Sequence, residues 1–160
     1  MTKREEFSKD GALRIIAAHG SEPRMLVQIL RDLLDTYGFI SDDMMRLLAD
    51  ELNLSRADVH GVVSFYHDFR RTPPGAHVIK ICQAEACQAM GSRALTDHAR
   101  KVLGIEMHGT TAGDGITLEP AYCLGNCACS PAVMVDDEVH GRVDHTMLDQ
   151  LISKCAGSQS

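Results

Sequence analysis

Four of the six cysteines fall into two pairs, Cys82 and Cys87 in ICQAEACQAMGS and Cys123 and Cys127 in YCLGNCACSPAV. The first pair encloses four residues, the second three, and 35 residues lie between them. Thiolate is a soft ligand that iron–sulfur clusters and zinc both accept, and four thiolates complete either a [2Fe–2S] core or a tetrahedral zinc ion. Zinc knuckles space their paired cysteines by roughly two to four residues on tight turns, so the second pair suits zinc and the first only at the limit. Plant-type ferredoxins use C-x4-C-x2-C, and here the third of those positions is Met90. Neither common template fits, and spacing within these templates leaves both metals open.

The other chemistry-bearing residues narrow the field. Eight histidines are scattered without an H-x-x-x-H pair, so neither a zincin nor a Rieske site is indicated. No Walker motif, dinucleotide fingerprint or G-x-S-x-G occurs, and the glycines of GTTAGDG (109–115) lie in a turn. Thiol–disulfide exchange of the thioredoxin kind uses C-x-x-C, which is absent. The chain therefore offers no substrate or flavin site of its own. A formal net charge of −6 argues against a nucleic-acid or anionic-membrane surface, which calls for clustered Lys and Arg.

A third cysteine pattern does fit: C-x4-C followed later by C-x3-C, with Gly125 inside the second pair and Ser130-Pro131 just after it. Together with LNLSRADVHGVVSFYHDFR (52–70), TPPGAHVIKIC and the loop around Asp114-Gly115, it covers most of the chain. In these motifs the chain resembles the thioredoxin-like [2Fe–2S] ferredoxins, found as the 24 kDa subunit of NADH dehydrogenases and the gamma subunit of NAD-dependent molybdenum formate dehydrogenases. NAD-reducing hydrogenases hold a third relative. The string CQAEACQAMG looks closer to the formate dehydrogenase branch.

That resemblance implies one [2Fe–2S] cluster on Cys82, Cys87, Cys123 and Cys127, with Cys129 as an alternative ligand to Cys127. It also implies a redox subunit of an oxidoreductase complex. FMN and NAD would then sit on a flavoprotein partner, and a molybdenum subunit would oxidise formate. The competing reading from another class is an interaction module stapled by zinc. Thioredoxin-like folds often carry a cis proline ahead of a strand, and Pro131 stands at such a place.

The elements that position these cysteines follow from periodicity. At 160 residues, with 44% hydrophobic and 24% charged content, the chain has room for a small helical appendage and one compact domain. The N-terminus, MTKREEFSKDG, carries charges where a secretory signal needs an apolar stretch, and no later run approaches a membrane span. A cytoplasmic, non-spanning protein is expected, in which cysteines serve metals, redox chemistry or the core.

Residues 1–10 read as frayed, and helices are expected over 12–18, over 23–37 capped by Ser21, after Ser41, and after the Ser55/Asp58 capping box. Leu26, Leu30, Leu33, Leu34 and Tyr37, then Met44, Leu47, Leu48 and Leu52, then Val59, Val62, Val63 and Tyr66 form the apolar stripes. Met25, Met44 and Met45 are read as core, with interface use kept open. Thus residues 1–72 read as a helical domain and 73–76 (PPGA) as a linker.

Beyond the linker the period changes. A strand over 77–81 delivers Cys82, a helix spans 89–102, and two extended segments, 105–111 and 116–122, flank Asp114-Gly115. AVMV (132–135), a turn at Asp136-Asp137, a strand over 138–140 and a helix capped by Asp144 complete the domain at 77–157. Met147, Leu148, Leu151, Ile152 and Cys155 share one face of that helix, which makes Cys155 a core residue. The fold class is α+β: a small helical bundle, then, as the resemblance implies, a thioredoxin-like α/β sandwich. Small residues at Ala84, Ala86, Gly91, Gly125 and Ala128 would let the backbone wrap closely around a cluster.

Overall fold

A computed structural model describes residues 6–113 and 115–157. Two compact units divide between Pro73 and Pro74. No helix among the described residues is long and apolar enough to cross a membrane.

The first unit packs four helices: α1 (Lys9–Ala18), α2 (Leu26–Tyr37), α3 (Asp42–Glu51) and α4 (Arg56–Phe65). α1 begins earlier than its apolar residues suggest, because the Ser8 hydroxyl accepts the Gly11 amide at 3.1 Å and caps a polar first turn. Ser21 does not cap α2; it adopts φ 51, and a 3₁₀ turn over Pro23–Met25 leads into the helix instead. Gly38 ends α2 in the left-handed conformation. Both expected caps further on are present, Ser41 accepting the Met44 amide and Ser55 the Asp58 amide.

Ile16, Ile29, Leu30, Leu33, Ile40, Met44, Leu48 and Val59 meet in one core, each at most 1% exposed. Each such side chain stabilises the unit by roughly 1.5–3 kcal/mol relative to exposure. Met44 and Met45 are therefore core, while Tyr66, expected to continue the α4 stripe, turns outward at the helix end beside Phe65. The Ile40 amide donates to the Arg70 carbonyl at 2.8 Å, and Arg71 pairs with Asp42, so the segment after α4 is held against the start of α3.

The second unit is a four-stranded mixed sheet with the order β2-β1-β3-β4 and with helices α5 (Glu85–Ala89), α6 (Ser92–Leu103) and α7 (His145–Gly157). β1 (His77–Cys82) runs parallel to β2 (Ile116–Ala121), placing Cys82 opposite Ala121. β3 (Val133–Val135) and β4 (Glu138–His140) are antiparallel to their neighbours. Ile79, Ile81, Leu118 and Val133 from the sheet meet Leu95 and Ala99 from α6 and Leu148, Leu151 and Cys155 from α7. Here the expected α/β sandwich is present.

Local differences have local causes. The helix expected over 89–102 starts later, as α6 at Ser92; the separate short helix α5 precedes it, with Met90 and Gly91, the latter at φ 96, between the two. Residues 105–111 do not form a full strand; they meet β2 through one Thr110–Thr117 bridge, with the His108 amide donating to the Leu118 carbonyl. Asp114, half of the expected turn dipeptide, lies outside the described residues. Asp136 makes the turn between β3 and β4 with φ 54, and its carboxylate accepts from the Val78 amide and meets His77 Nδ1, both at 2.9 Å. Asp144 caps α7 through the Met147 amide at 2.8 Å. His98 of α6 stacks on His145 of α7 and bonds Asp149 at 2.7 Å, tying the two helices together.

Candidate metal centre

Cys82 is the last residue of β1, where the ladder fixes its backbone; its amide donates to the Ala132 carbonyl at 3.0 Å. The chain then turns into α5, which contains Cys87 and ends ahead of the longer helix α6. Gln88 steadies this turn by donating from Nε2 to the Gln83 carbonyl at 2.6 Å. Both cysteines are buried at 1% exposure.

β2 leads into the second loop, where Cys123 has φ 152, a backbone state that residues with a side chain rarely adopt. Gly125 follows with φ 73, and its amide points at the Cys123 sulfur at 3.4 Å. Gly125 sits in the left-handed region, which favours glycine, and no protein atom would lie within 4 Å of a Cβ there. Cys127 opens a 3₁₀ turn, Cys127–Cys129, and its sulfur lies 3.9 Å from that of Cys123. Cys123 and Cys127 are both exposed, whereas Cys129 is half-buried.

The loops converge through contacts that the spacing alone did not reveal. Burial pushes the Cys82 thiol above its ordinary pKa, against the backbone amides of Ala84 and Leu124, the latter from the second loop. At Cys87 burial acts the same way, but the Ser130 hydroxyl, the Ala132 amide and the Cys82 thiol outweigh it and favour the thiolate. The thiol of Cys123 raises the Cys127 pKa, and Cys87 and Cys82 also act on Cys127 electrostatically. Cys82 and Cys87 thus influence each other, and both act on Cys127 of the second loop.

Ser130 and Gly141 complete the frame. The Ser130 hydroxyl donates to the Cys127 carbonyl at 2.7 Å and takes the Cys87 thiol proton at 3.5 Å. Gly141 lies so close to the second loop that a Cβ there would stand 2.6 Å from that of Cys129. Next to it, the Arg142 amide donates to the Cys129 carbonyl at 2.7 Å. The Ser130-Pro131 peptide is cis, as its position ahead of β3 suggested. Nothing local in the sequence marks Gly141, which lies beyond β3 from the loop it supports.

This donor set fits a [2Fe–2S] cluster. Two ferric ions, two sulfides and four thiolates sum to about −2, one added electron makes about −3, and backbone amides directed at sulfur stabilise such charge. Cys155 stands apart in the core on α7, its thiol pushed up by burial and then by the charge of Asp136.

Comparison with known proteins places this geometry. A family profile described as thioredoxin-like [2Fe–2S] ferredoxin matches residues 12–156. The matching NADH-quinone oxidoreductase subunit of Pseudomonas aeruginosa is 35% identical over 126 residues, 78% of this chain and 76% of that one. Its Escherichia coli counterpart is 31% identical over 137 residues, 85% of this chain and 82% of the relative. The NADP-reducing hydrogenase subunit HndA of Solidesulfovibrio fructosivorans is 28% identical over 129 residues, 81% and 75% of the respective chains. Among solved structures, an air-oxidised NAD⁺-reducing [NiFe]-hydrogenase shares the fold at TM-score 0.70 and 22% identity. The match covers 84% of this chain, which spans only 23% of the hydrogenase chain.

Proposed function

The chain belongs to the thioredoxin-like [2Fe–2S] ferredoxin family, and on that premise we propose that Cys82, Cys87, Cys123 and Cys127 hold its cluster. When bound, the cluster takes up and gives back one electron at a time. The chain's own residues do the rest: β1 and α5 fix a buried sulfur pair, amides of Ala84, Leu124, Ala132 and Gly125 face the sulfurs, and the second loop presents the exposed pair. The carrying observation is geometric: the Ser130 hydroxyl lies 3.5 Å from the Cys87 sulfur and 2.7 Å from the Cys127 carbonyl, so one side chain joins the two cysteine loops.

The physiological reading is a cytoplasmic electron-transfer protein that exchanges single electrons with FMN on a flavoprotein partner, which handles NAD. Within that class we assign the chain to an NAD-dependent formate dehydrogenase as its gamma subunit, beside a molybdenum-containing subunit. CQAEACQAMG supports the assignment. The NADH-quinone oxidoreductase and hydrogenase relatives supply the second reading, the equivalent subunit of those complexes.

Anaerobic purification from the native host tests both levels. Two irons and two sulfides per chain, with a paramagnetic signal after one-electron reduction, support the cluster; stoichiometric zinc in a colourless protein rejects it. Co-purification with a molybdenum protein and formate-dependent NAD⁺ reduction support the formate dehydrogenase. Co-purifying quinone-reductase or hydrogenase subunits refute it.

A further inference from the structure

Ser130 bridges the two cysteine pairs, reaching the Cys87 sulfur at 3.5 Å and the Cys127 carbonyl at 2.7 Å. Its residue is buried at 9% exposure. In the thiol form Cys87 supplies the proton between the two groups, leaving the serine's own proton for the carbonyl. A hydroxyl has one proton to give. As a metal ligand Cys87 is a thiolate with none, so the serine oxygen loses its donor and the sulfur turns from donor to acceptor.

Two partners then compete for the serine proton. A hydrogen bond to an ionised group is about twice as strong as one between neutral groups. Solvent availability points the same way: Cys127 is exposed, so water has access near its carbonyl, whereas Cys87 is 1% exposed. Leaving the buried anion short of a donor costs more than leaving the carbonyl to water.

We propose that Ser130 is a positioning residue of the electron-transfer site, whose hydroxyl turns from the Cys127 carbonyl to the Cys87 sulfur once that sulfur binds iron. This rests on Cys87 being a cluster ligand. The bond strengthens as negative charge on the cluster grows, so it favours reduction. Its removal lowers the reduction equilibrium constant by roughly three- to tenfold, the upper end being about 59 mV for one electron.

The test uses the full chain, loaded and purified anaerobically, as wild type, Ser130→Ala, Ser130→Thr and Ser130→Val. Iron and sulfide content are measured first, then the midpoint potential and, after exchange into deuterated buffer, the coupling of an exchangeable deuteron to the reduced cluster by pulsed paramagnetic resonance. The expected result is full loading of Ser130→Ala, a lower potential and loss of the strongest deuteron coupling, with both properties restored in Ser130→Thr. An unchanged potential in fully loaded Ser130→Ala overturns the inference and leaves the cluster assignment standing. Iron-free wild type overturns the assignment and the inference together. If Ser130→Ala loses its cluster, the Thr and Val variants, alike in shape, decide: a higher potential and a retained deuteron in Thr support the proposal, and equal values overturn it.

Discussion

Cys82 and Cys87 are buried at 1% exposure on regular elements, whereas Cys123 and Cys127 are exposed on a loop containing two positive-φ residues. The same ligand atom is thus held in two ways. Around the buried pair water is excluded, so protein dipoles must supply what solvent would, and Ala84, Leu124, Ala132 and Ser130 do so. The exposed pair has solvent at hand and depends on backbone shape. Burial on one side and exposure on the other suit the proposed cluster site, which would keep its metal yet meet a partner.

The strongest way to break this contrast is to remove ligands from each side. Cys82→Ser, Cys87→Ser, Cys123→Ser and Cys127→Ser are each expected to impair cluster assembly. The loss should exceed the roughly 10–100-fold that follows removal of a supporting hydrogen bond at a metal site. Iron and sulfide per chain are the measure. The buried-side variants should lose most, because Cys129 stands two residues beyond Cys127 as a spare thiol and neither buried cysteine has an equivalent so near in sequence. A fully loaded Cys127→Ser protein transfers the ligand role to Cys129.

Next in size is the scaffold of the exposed loop. Gly141→Ala places a methyl 2.6 Å from the Cys129 Cβ and 2.7 Å from Asn126 Nδ2, so the loop or β4's end must shift. Overpacking of this kind costs roughly 1–3 kcal/mol. Reduced iron occupancy together with a lower urea midpoint is expected, and unchanged values on both counts show that the loop does not lean on this glycine. Gly125→Ala should cost less, about 1 kcal/mol in the metal-free chain, since its φ of 73 strains an L side chain while no protein atom crowds the position. Gly125→Asn should recover part of that loss because asparagine tolerates the left-handed region. Equal stability of the Ala and Asn variants contradicts that ordering.

The cysteines, the β1 strand that delivers Cys82, the caps at Ser41, Ser55 and Asp144 and the apolar stripes were legible because each is written in local spacing. Less legible was anything decided by distant chain. Tyr66 has helical spacing yet turns outward, since α4 ends at Phe65 before that position can join the core. The start of α6 at Ser92 is a local matter, set by Gly91 at a left-handed φ of 96, yet the apolar pattern does not encode it. Gly141 and the Ser130 bridge come from a fold that returns β3 and β4 beside the second loop. Small residues near the cysteines were noticed as room for a cluster; at Gly125 the fold adds a left-handed φ of 73 that smallness alone does not announce.

The smallest effect sharpens the contrast by using a sulfur that belongs to neither pair. Cys155 is 4% exposed on α7, and burial followed by the Asp136 charge raises its pKa above the ordinary value of 9.0. A raised acid favours the fold while protonated: its contribution is whole below about pH 9 and fades as pH climbs through the folded-state value, because the unfolded chain ionises first. Cys155→Ala removes that dependence along with some packing, at a cost of about 1 kcal/mol near pH 7. The deficit relative to wild type should therefore narrow as pH rises above about 9 in urea unfolding of the metal-free chain. Iron loading should stay at the wild-type level. A deficit that is constant with pH shows that this thiol is free to ionise in place, and hence that burial alone does not distinguish a structural sulfur from a ligand in this fold.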